Sequence, residues 1–414
     1  MIDRGKLAQA LGRRPLADWV VFEHDQELHI REPGRSRGES RARWRVVAHA
    51  DTAKGRGSAR ISLAGDSDDA DEVADRALAI ALASVGAAWE SPPAGAPARV
   101  ELADPSFGDD LAATAERVTA NLAAPRGAQL AATSQLLREH VHVLTHQGFH
   151  ADWDATLVRV ELVVIAESRS LTVAREARTL AALELDAAIN DAAADLQLLA
   201  RAGTATPGPC AVVLAADALV PDGLGVWSVF ASQADAAFAR AGLARVHEGS
   251  PIAPGADQIS DPLTITSDGA LAFGVRSAPL GDDGDAVRSF AIVERGIAAG
   301  LGMSPREAAL RKRDPNGGVR NLVVRTGDWD ERVDPSGRLV EIKRLSQLSI
   351  DPYTAHASLE IALGIDHGRG PFAGGTLRLD LVDALAHARR SKARMRRGPY
   401  DGPSSVLIDH AAIV

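Results

Sequence analysis

Two periods alternate along this chain, and they separate sheet from helix before any motif is considered. In the first 65 residues the spacing is two. Trp19-Val20-Val21-Phe22 and Leu28-His29-Ile30 flank a polar turn around Asp25-Gln26. Trp44 and Val46 alternate with Arg43 and Arg45, and Ala59, Ile61 and Leu63 alternate with Arg60 and Ser62. Such alternation marks half-buried strands, with Lys54-Gly55-Arg56-Gly57 as the turn between the last two. After Asp66 the spacing lengthens. Ala74, Leu78, Ala81, Leu82 and Val85 recur at helical intervals behind Asp68, Asp69, Asp71 and Glu72, acids that suit the positive end of a helix, and Gly86 stops it. Ser91 to Gly95 reads as a short loop. A further helix carries Leu111, Ala115, Val118 and Leu122 between a cap at Ser106 and the stop at Pro125-Arg126-Gly127.

From Gln129 to about Thr179 the strand pattern returns, with Val158, Val160, Leu162 and Val164 on one face and Arg159 and Glu161 on the other. A helix from Asp186 to Arg201 follows, then a turn-rich connector, the short buried strand Ala211-Val212-Val213-Leu214 and an alanine-rich helix from Ala231 to Ala244. Beyond Gly249, short apolar pieces (Leu263 to Ile265, Phe290 to Val293, Leu322 to Val324, Leu359 to Ile365) alternate with turns rich in glycine and aspartate, the mark of antiparallel β structure. The pattern predicts an α+β chain: an N-terminal α/β domain of antiparallel sheet and helices over 1–205, with a subdivision near 125, then a β-rich domain over 206–414 with a helix at 231–244. No repeat of fixed period is present.

Length agrees, since 414 residues at roughly 150 per domain make two or three. Lysine plus arginine is 46 against 55 acids, a net charge of -9 that disfavours phosphate-rich partners. The one cysteine, Cys210, excludes an internal disulfide and Cys₄ or Cys₂His₂ zinc sites. No uninterrupted apolar run approaches the ~18 residues a membrane span needs, and Met1-Ile2-Asp3-Arg4-Gly5 opens no export signal. A soluble, cytoplasmic protein without membrane contact is expected.

Chemistry is sparse. His140, His142, His146 and His150 form the one dense histidine cluster; in a strand His140 and His142 share a face, and a turn could fold His146 or His150 toward them as zinc ligands. A row of half-exposed strand histidines is the plainer reading. His247-Glu248 is followed by Gly249-Ser250-Pro251-Ile252, so no second histidine lies one helical turn on. Cys210 starts a buried strand, where a thiol is inert packing. Gly281-Asp282-Asp283-Gly284-Asp285 resembles part of a calcium loop without its closing glutamate, and reads as a hairpin turn. No nucleophile elbow and no phosphate loop occur. The basic run of Arg389, Arg390, Lys392, Arg394, Arg396 and Arg397 follows an apolar stripe at Val382, Leu385 and Ala386, and is expected to be a solvated helix end.

The order of segments says more than any one motif. Thr156 to Glu167, Ser170 to Arg178, Pro209-Cys210-Ala211-Val212-Val213-Leu214, Asp261-Pro262-Leu263-Thr264-Ile265, Gly281 to Gly284, Asn321-Leu322-Val323-Val324 with Gly327-Asp328, and Gly375-Thr376-Leu377 with Leu381 to Leu385 together resemble the TldD/PmbA family, which is related to metalloproteases. The resemblance implies that the C-terminal domain is barrel-like. It also implies a difference: catalytic members carry His-Glu-x-x-x-His on the helix after the Val-Val-Leu strand, and here Ala215 to Ala244 holds no histidine. The resemblance therefore points to a PmbA/TldE-like, non-catalytic subunit. Such a chain has no catalytic or metal residue and no cofactor of its own, and partners a zinc-bearing TldD-like homologue acting on extended, unfolded or leader peptides. The alternatives are a self-sufficient metallopeptidase using His140, His142, His146 and His150, or a nucleic-acid-associated regulator using Arg389 to Arg397.

Overall fold

The computed structural model describes residues 3–64, 69–91, 96–120, 122–167, 169–330 and 337–414. Asp66, Asp68 and the Pro92 to Gly95 part of the expected loop lie outside them. Among the described residues the strands form three sheets. The first is antiparallel and built from β1 (Asp18–Glu32), β2 (Arg35–Thr52), β3 (Gly55–Ala64), β4 (Gln129–Thr145), β5 (His150–Ala166) and β6 (Arg169–Ala177), in the order β3-β2-β1-β4-β5-β6. β1 pairs with β2 on one side and with β4 on the other, so hydrogen bonding crosses residue 125 without a break.

Helices cover one face of this sheet. α1 (Arg4–Gly12) and α2 (Ala70–Ala83) pack Leu7, Leu11, Val73 and Ala77 on Val21, Trp44 and Val46. α3 (Leu111–Ala120) and α4 (Leu185–Ala200) pack Leu111, Ala115, Ile189 and Leu196 on Leu136 and the row Val158, Val160, Leu162 and Val164. α1 departs from the all-strand expectation for the first 65 residues. Asp3 caps it by accepting the Lys6 N–H at 2.8 Å, and three buried apolar residues on one stripe suffice to dock nine residues.

The C-terminal half is β-rich and includes a barrel. Gly208–Leu214 runs parallel to Leu339–Ile350 and antiparallel to Val406–Ile413; Thr376–Asp380 and His356–Asp366 continue the order, and His356–Asp366 pairs back to Leu339–Ile350. The ring is closed, which removes the free edges that would invite foreign strands. Val212, Leu214, Val340, Ile342, Leu359 and Leu377 belong to its core. A further sheet, with Ile265–Asp268 between Phe290–Glu294 and Asn321–Val324, extends through Tyr400–Pro403 to Arg394–Arg397 at its edge. Among the described residues no helix is long and apolar enough to cross a membrane.

Further expectations need correction. The polar turn expected around Asp25-Gln26 is part of β1, which runs unbroken from Asp18 to Glu32 because both residues pair with β2 in the ladder. The helix expected at 231–244 is two short ones, Ser228–Gln233 and Ala236–Arg240. Asp235 sits extended between them and its carboxylate accepts the Phe238 N–H at 2.8 Å, so a side-chain cap replaces continuation of the helix. The basic run is no helix end either. The helix Leu381–His387 stops before it, and Arg389–Arg390 and Arg394–Arg397 are strands. Arg390 is 1% exposed and donates to the carbonyl oxygens of Asp261 (2.7 Å) and Arg325 (3.1 Å). The arginines are structural ties between segments, which sequence spacing cannot show.

α2 lies so close to β3 that a Cβ on Gly57 would stand 1.7 Å from the Ala81 carbonyl oxygen. Gly57→Ala should therefore cost about 3 kcal/mol or more, as backbone cannot yield the way a side chain can. Gly12→Ala, at a helix end where a Cβ meets nothing within 4 Å, should be neutral or stabilising by up to about 1 kcal/mol. Thermal denaturation of the two variants tests the contrast.

Candidate functional site

The barrel strand Gly208–Leu214 delivers the chain into the turn Ala216–Leu219, and Asp217 on that turn is the focus of a buried ion network. Arg344 of the barrel strand Leu339–Ile350 reaches Asp217 Oδ2 with Nη1 at 2.9 Å and Asp195 Oδ2 of α4 with Nε at 2.7 Å. Arg175 of β6 approaches Asp217 Oδ1 at 3.3 Å, and Arg397 of the edge strand binds the same oxygen. Lys343 stands 3.5 Å from Asp195 Oδ1. A bulge in the pairing of Leu339–Ile350 around Arg344 breaks the in–out alternation there, and Arg344 is itself buried.

Electrostatics follow from burial. Desolvation alone would raise the Asp217 carboxyl, but the guanidiniums of Arg397, Arg344 and Arg175 hold it below the ordinary range. Burial, reinforced by Arg397, pushes Arg175 down to about 10. With Glu341 3.9 Å from Lys343, three carboxylates face four cationic heads, so the cluster keeps one net positive charge. The residues here do not fit a zinc ion: no neutral imidazole is present, the carboxylates are engaged by cations, and a divalent cation would be repelled.

The histidines found in the sequence lie elsewhere, at the β4–β5 hairpin. His140 and His142 do meet, ring centroids 4.2 Å apart, and His140 Nδ1 is 2.6 Å from Asp154 Oδ1. His146 is in the turn with its ring against Trp19, and His150 stands opposite Leu144 in the ladder. Burial, Arg4 and His140 together lower the His142 pKa. Among the described residues no group of three or more His, Cys, Asp or Glu is placed to hold a metal ion. Glu248 pairs with Arg313 at 2.6 Å, and burial raises the Cys210 thiol, away from reactivity.

The Gly281-to-Asp285 segment is the expected hairpin, the Gly281 N–H donating to the Asp285 carbonyl at 2.7 Å. It docks on the face of the first sheet opposite the helices, where Leu280 joins Val20, Phe22, Val141 and Val143. Asp282 pairs with Arg320 (3.3 Å) and Asp283 with Arg60, whereas Asp285 is 6% exposed and accepts the Gly317 N–H at 2.9 Å. Burial and Asp283 push the Asp285 carboxyl up to about 7.

Residues 228–414 match the PmbA/TldA metallopeptidase C-terminal domain. Known structures superimpose along nearly the whole chain. TldE from Thermococcus kodakarensis aligns with TM-score 0.76 at 13% identity, over 97% of this chain and 98% of its own. The family match is thus to the C-terminal part of the chain, and the likeness along its whole length is one of fold. Two proteins described as candidate modulators of DNA gyrase share the fold as well. That from Bacteroides thetaiotaomicron has TM-score 0.77 at 15% identity, over 100% of this chain and 99% of its own. That from Thermotoga maritima has TM-score 0.78 at 14% identity, over 99% of both chains. No curated protein sequence matches the chain. The α+β architecture with a C-terminal barrel is therefore that of TldE.

Sequence reading missed Asp217, Arg175, Arg344 and Asp195, and assigned Arg397 to a solvated helix end, because the five come from five segments with no shared spacing. The one local signal was Lys343-Arg344 interrupting an apolar strand. Asp217→Asn should cost about 3–5 kcal/mol, since it leaves three arginines around a neutral side chain; chemical denaturation of the variant measures it. Asp285 works in the opposite sense. Its folded-state pKa lies above the unfolded value, so its stabilisation is full below about pH 4 and lost as pH rises through about 7. Between pH 5 and pH 8 the wild type should lose about 2–3 kcal/mol relative to Asp285→Asn. Denaturant midpoints of both proteins at the two pH values check the slope.

Proposed function

We propose that this chain is the non-catalytic, TldE/PmbA-like subunit of a heteromeric zinc metallopeptidase that cleaves unfolded or leader peptides. The observation that carries the reading is the replacement at Ala215 to Ala244: no histidine is present, and the turn that opens the segment is committed to a network of arginines. Zinc belongs, in this reading, to a TldD-like partner. The chain's own contribution is architectural: it forms a wall of the chamber, orients the partner's site and offers strand edges to extended peptide. Likeness of the whole fold to TldE supports the assignment, and the net positive Asp217 cluster argues against a metal at the corresponding place in this chain.

The His140–His150 reading of a self-sufficient metallopeptidase draws no support from the geometry, because only two of the four imidazoles come together. The regulator reading loses its instrument, as Arg390, Arg394, Arg396 and Arg397 are spent on internal partners.

Co-expression with a zinc-bearing homologue, followed by size-exclusion chromatography and a peptide-cleavage assay, tests the proposal. One complex should elute, with an interface above ~1,000 Å². Cleavage should need both chains and stop when the homologue's His-Glu-x-x-x-His is mutated. A fully active homologue that elutes apart from this chain at micromolar concentration would refute the role.

A further inference from the structure

β2 continues well beyond the reach of β3. Arg43 to Thr52 pair with β3, but Arg35 to Ala42 pair with β1 alone, so among the described residues the outer edge of that stretch carries no strand. Arg35 to Ser40 are exposed throughout. The edge is also charged in one phase. Arg35, Arg37, Arg41, Arg43 and Arg45 occupy alternate positions, with Glu39 in the one remaining place, so the arginine side chains leave one face of the ribbon about 6.8 Å apart.

The inner end of this row already receives carboxylates. Arg45 lies 3.8 Å from Asp282, and Arg60, on the same face of β3, binds Asp283; both acids belong to the docked Gly281–Asp285 hairpin. Further out, Arg41 bonds Gln26 and Glu39. Arg35, Arg37 and Arg43 have no ion-pair partner among the described residues. In a chain with nine more acids than bases, three arginines of one row without a carboxylate partner among the described residues leave a surface able to take further acids.

We infer that the outer edge of β2 at Arg35 to Ala42 takes an extended acidic peptide by strand addition, with carboxylates at alternate residues set against the arginine row. An added strand satisfies the open backbone groups, and its i, i+2 side chains share the spacing of the arginines. The same row excludes a second copy of this edge, because like charges would lie directly opposite one another. A nucleic acid would meet the arginines but leave the backbone edge unpaired. It would also face Glu39, the chain's net negative charge and no stacking aromatic on the exposed stretch. The inference deepens the peptide-handling role proposed above and rests on it for its biological sense, but its test uses this chain alone.

Fluorescence anisotropy should show a labelled eight-residue peptide of alternating Glu and Thr binding at least about tenfold more tightly than its Gln/Thr counterpart. The variant R35Q/R37Q/R43Q, which should keep its thermal midpoint because all three residues are exposed, should lose about the same factor. Two Glu/Thr peptides N-methylated at every second amide, one in each phase, separate strand addition from simple charge attraction: one phase should bind and the other should not. Equal binding of both phases, or an eight-nucleotide thymidine strand binding as tightly as the peptide, would overturn the inference. Failure here with an intact two-chain peptidase would leave the subunit role standing. Failure of the two-chain assay with peptide binding retained would do the reverse.

Discussion

The carboxylate of Asp217 has nowhere else to go. It is largely buried where the barrel, the first sheet and the edge strand Arg394–Arg397 converge, and a charge so withdrawn from water must be matched or it destabilises the fold by several kcal/mol. Three guanidiniums match it, each from a different segment, and Arg344 passes the connection on to Asp195 of α4. The N-terminal sheet and the barrel can be told apart by topology, yet both supply ligands to one anion. Their relative placement is thereby fixed by charge as well as by apolar contact.

That commitment bears on chemistry. A group that serves a reaction must have a free lone pair, a movable proton or an open coordination position, and Asp217 has its oxygens taken by cations. The arrangement has the character of a tie. Its place, directly after the barrel strand Gly208–Leu214, lets one short turn hold the barrel to the first sheet through charge.

The second contact between halves is built differently. The Gly281–Asp285 hairpin presses Gly284 onto Val20, where a glycine Cβ would already be 3.1 Å from the valine, and its acids reach to Arg45, Arg60 and Arg320. At the far corner Arg178 donates to the carbonyl oxygens of Gly274, Val275 and Ser277 at 2.8–3.2 Å, tying β6 to the loop before the hairpin. Arginine recurs in each case because one planar head can serve several acceptors at once. The arginines of β2 continue the theme outward, where Arg41 still meets Glu39.

Hydrophobic periodicity by itself determined most strands of the first sheet, three of its four covering helices and the β-rich character of the second half, because burial of one face imposes a period of two or of 3.6 wherever it occurs. Val158 to Val164 could be assigned to a face from spacing alone, and they are buried on it. The segment order carried the family resemblance, and the missing histidines were plain. Short elements were less legible. Asp235 divided a helix that alanine content would have continued, and the basic run became strand because Arg390 found carbonyl oxygens more than sixty residues away in sequence. Only the tertiary structure decided which charged residues matter. Arg175, Asp195, Asp217, Arg344 and Arg397 follow no common spacing, and the His140–His150 cluster, dense in sequence, is split by a hairpin that sends two of its members away. Period reports that one face of an element is buried, whichever segment covers it, whereas the pairing of a charge depends on which particular segment arrives beside it.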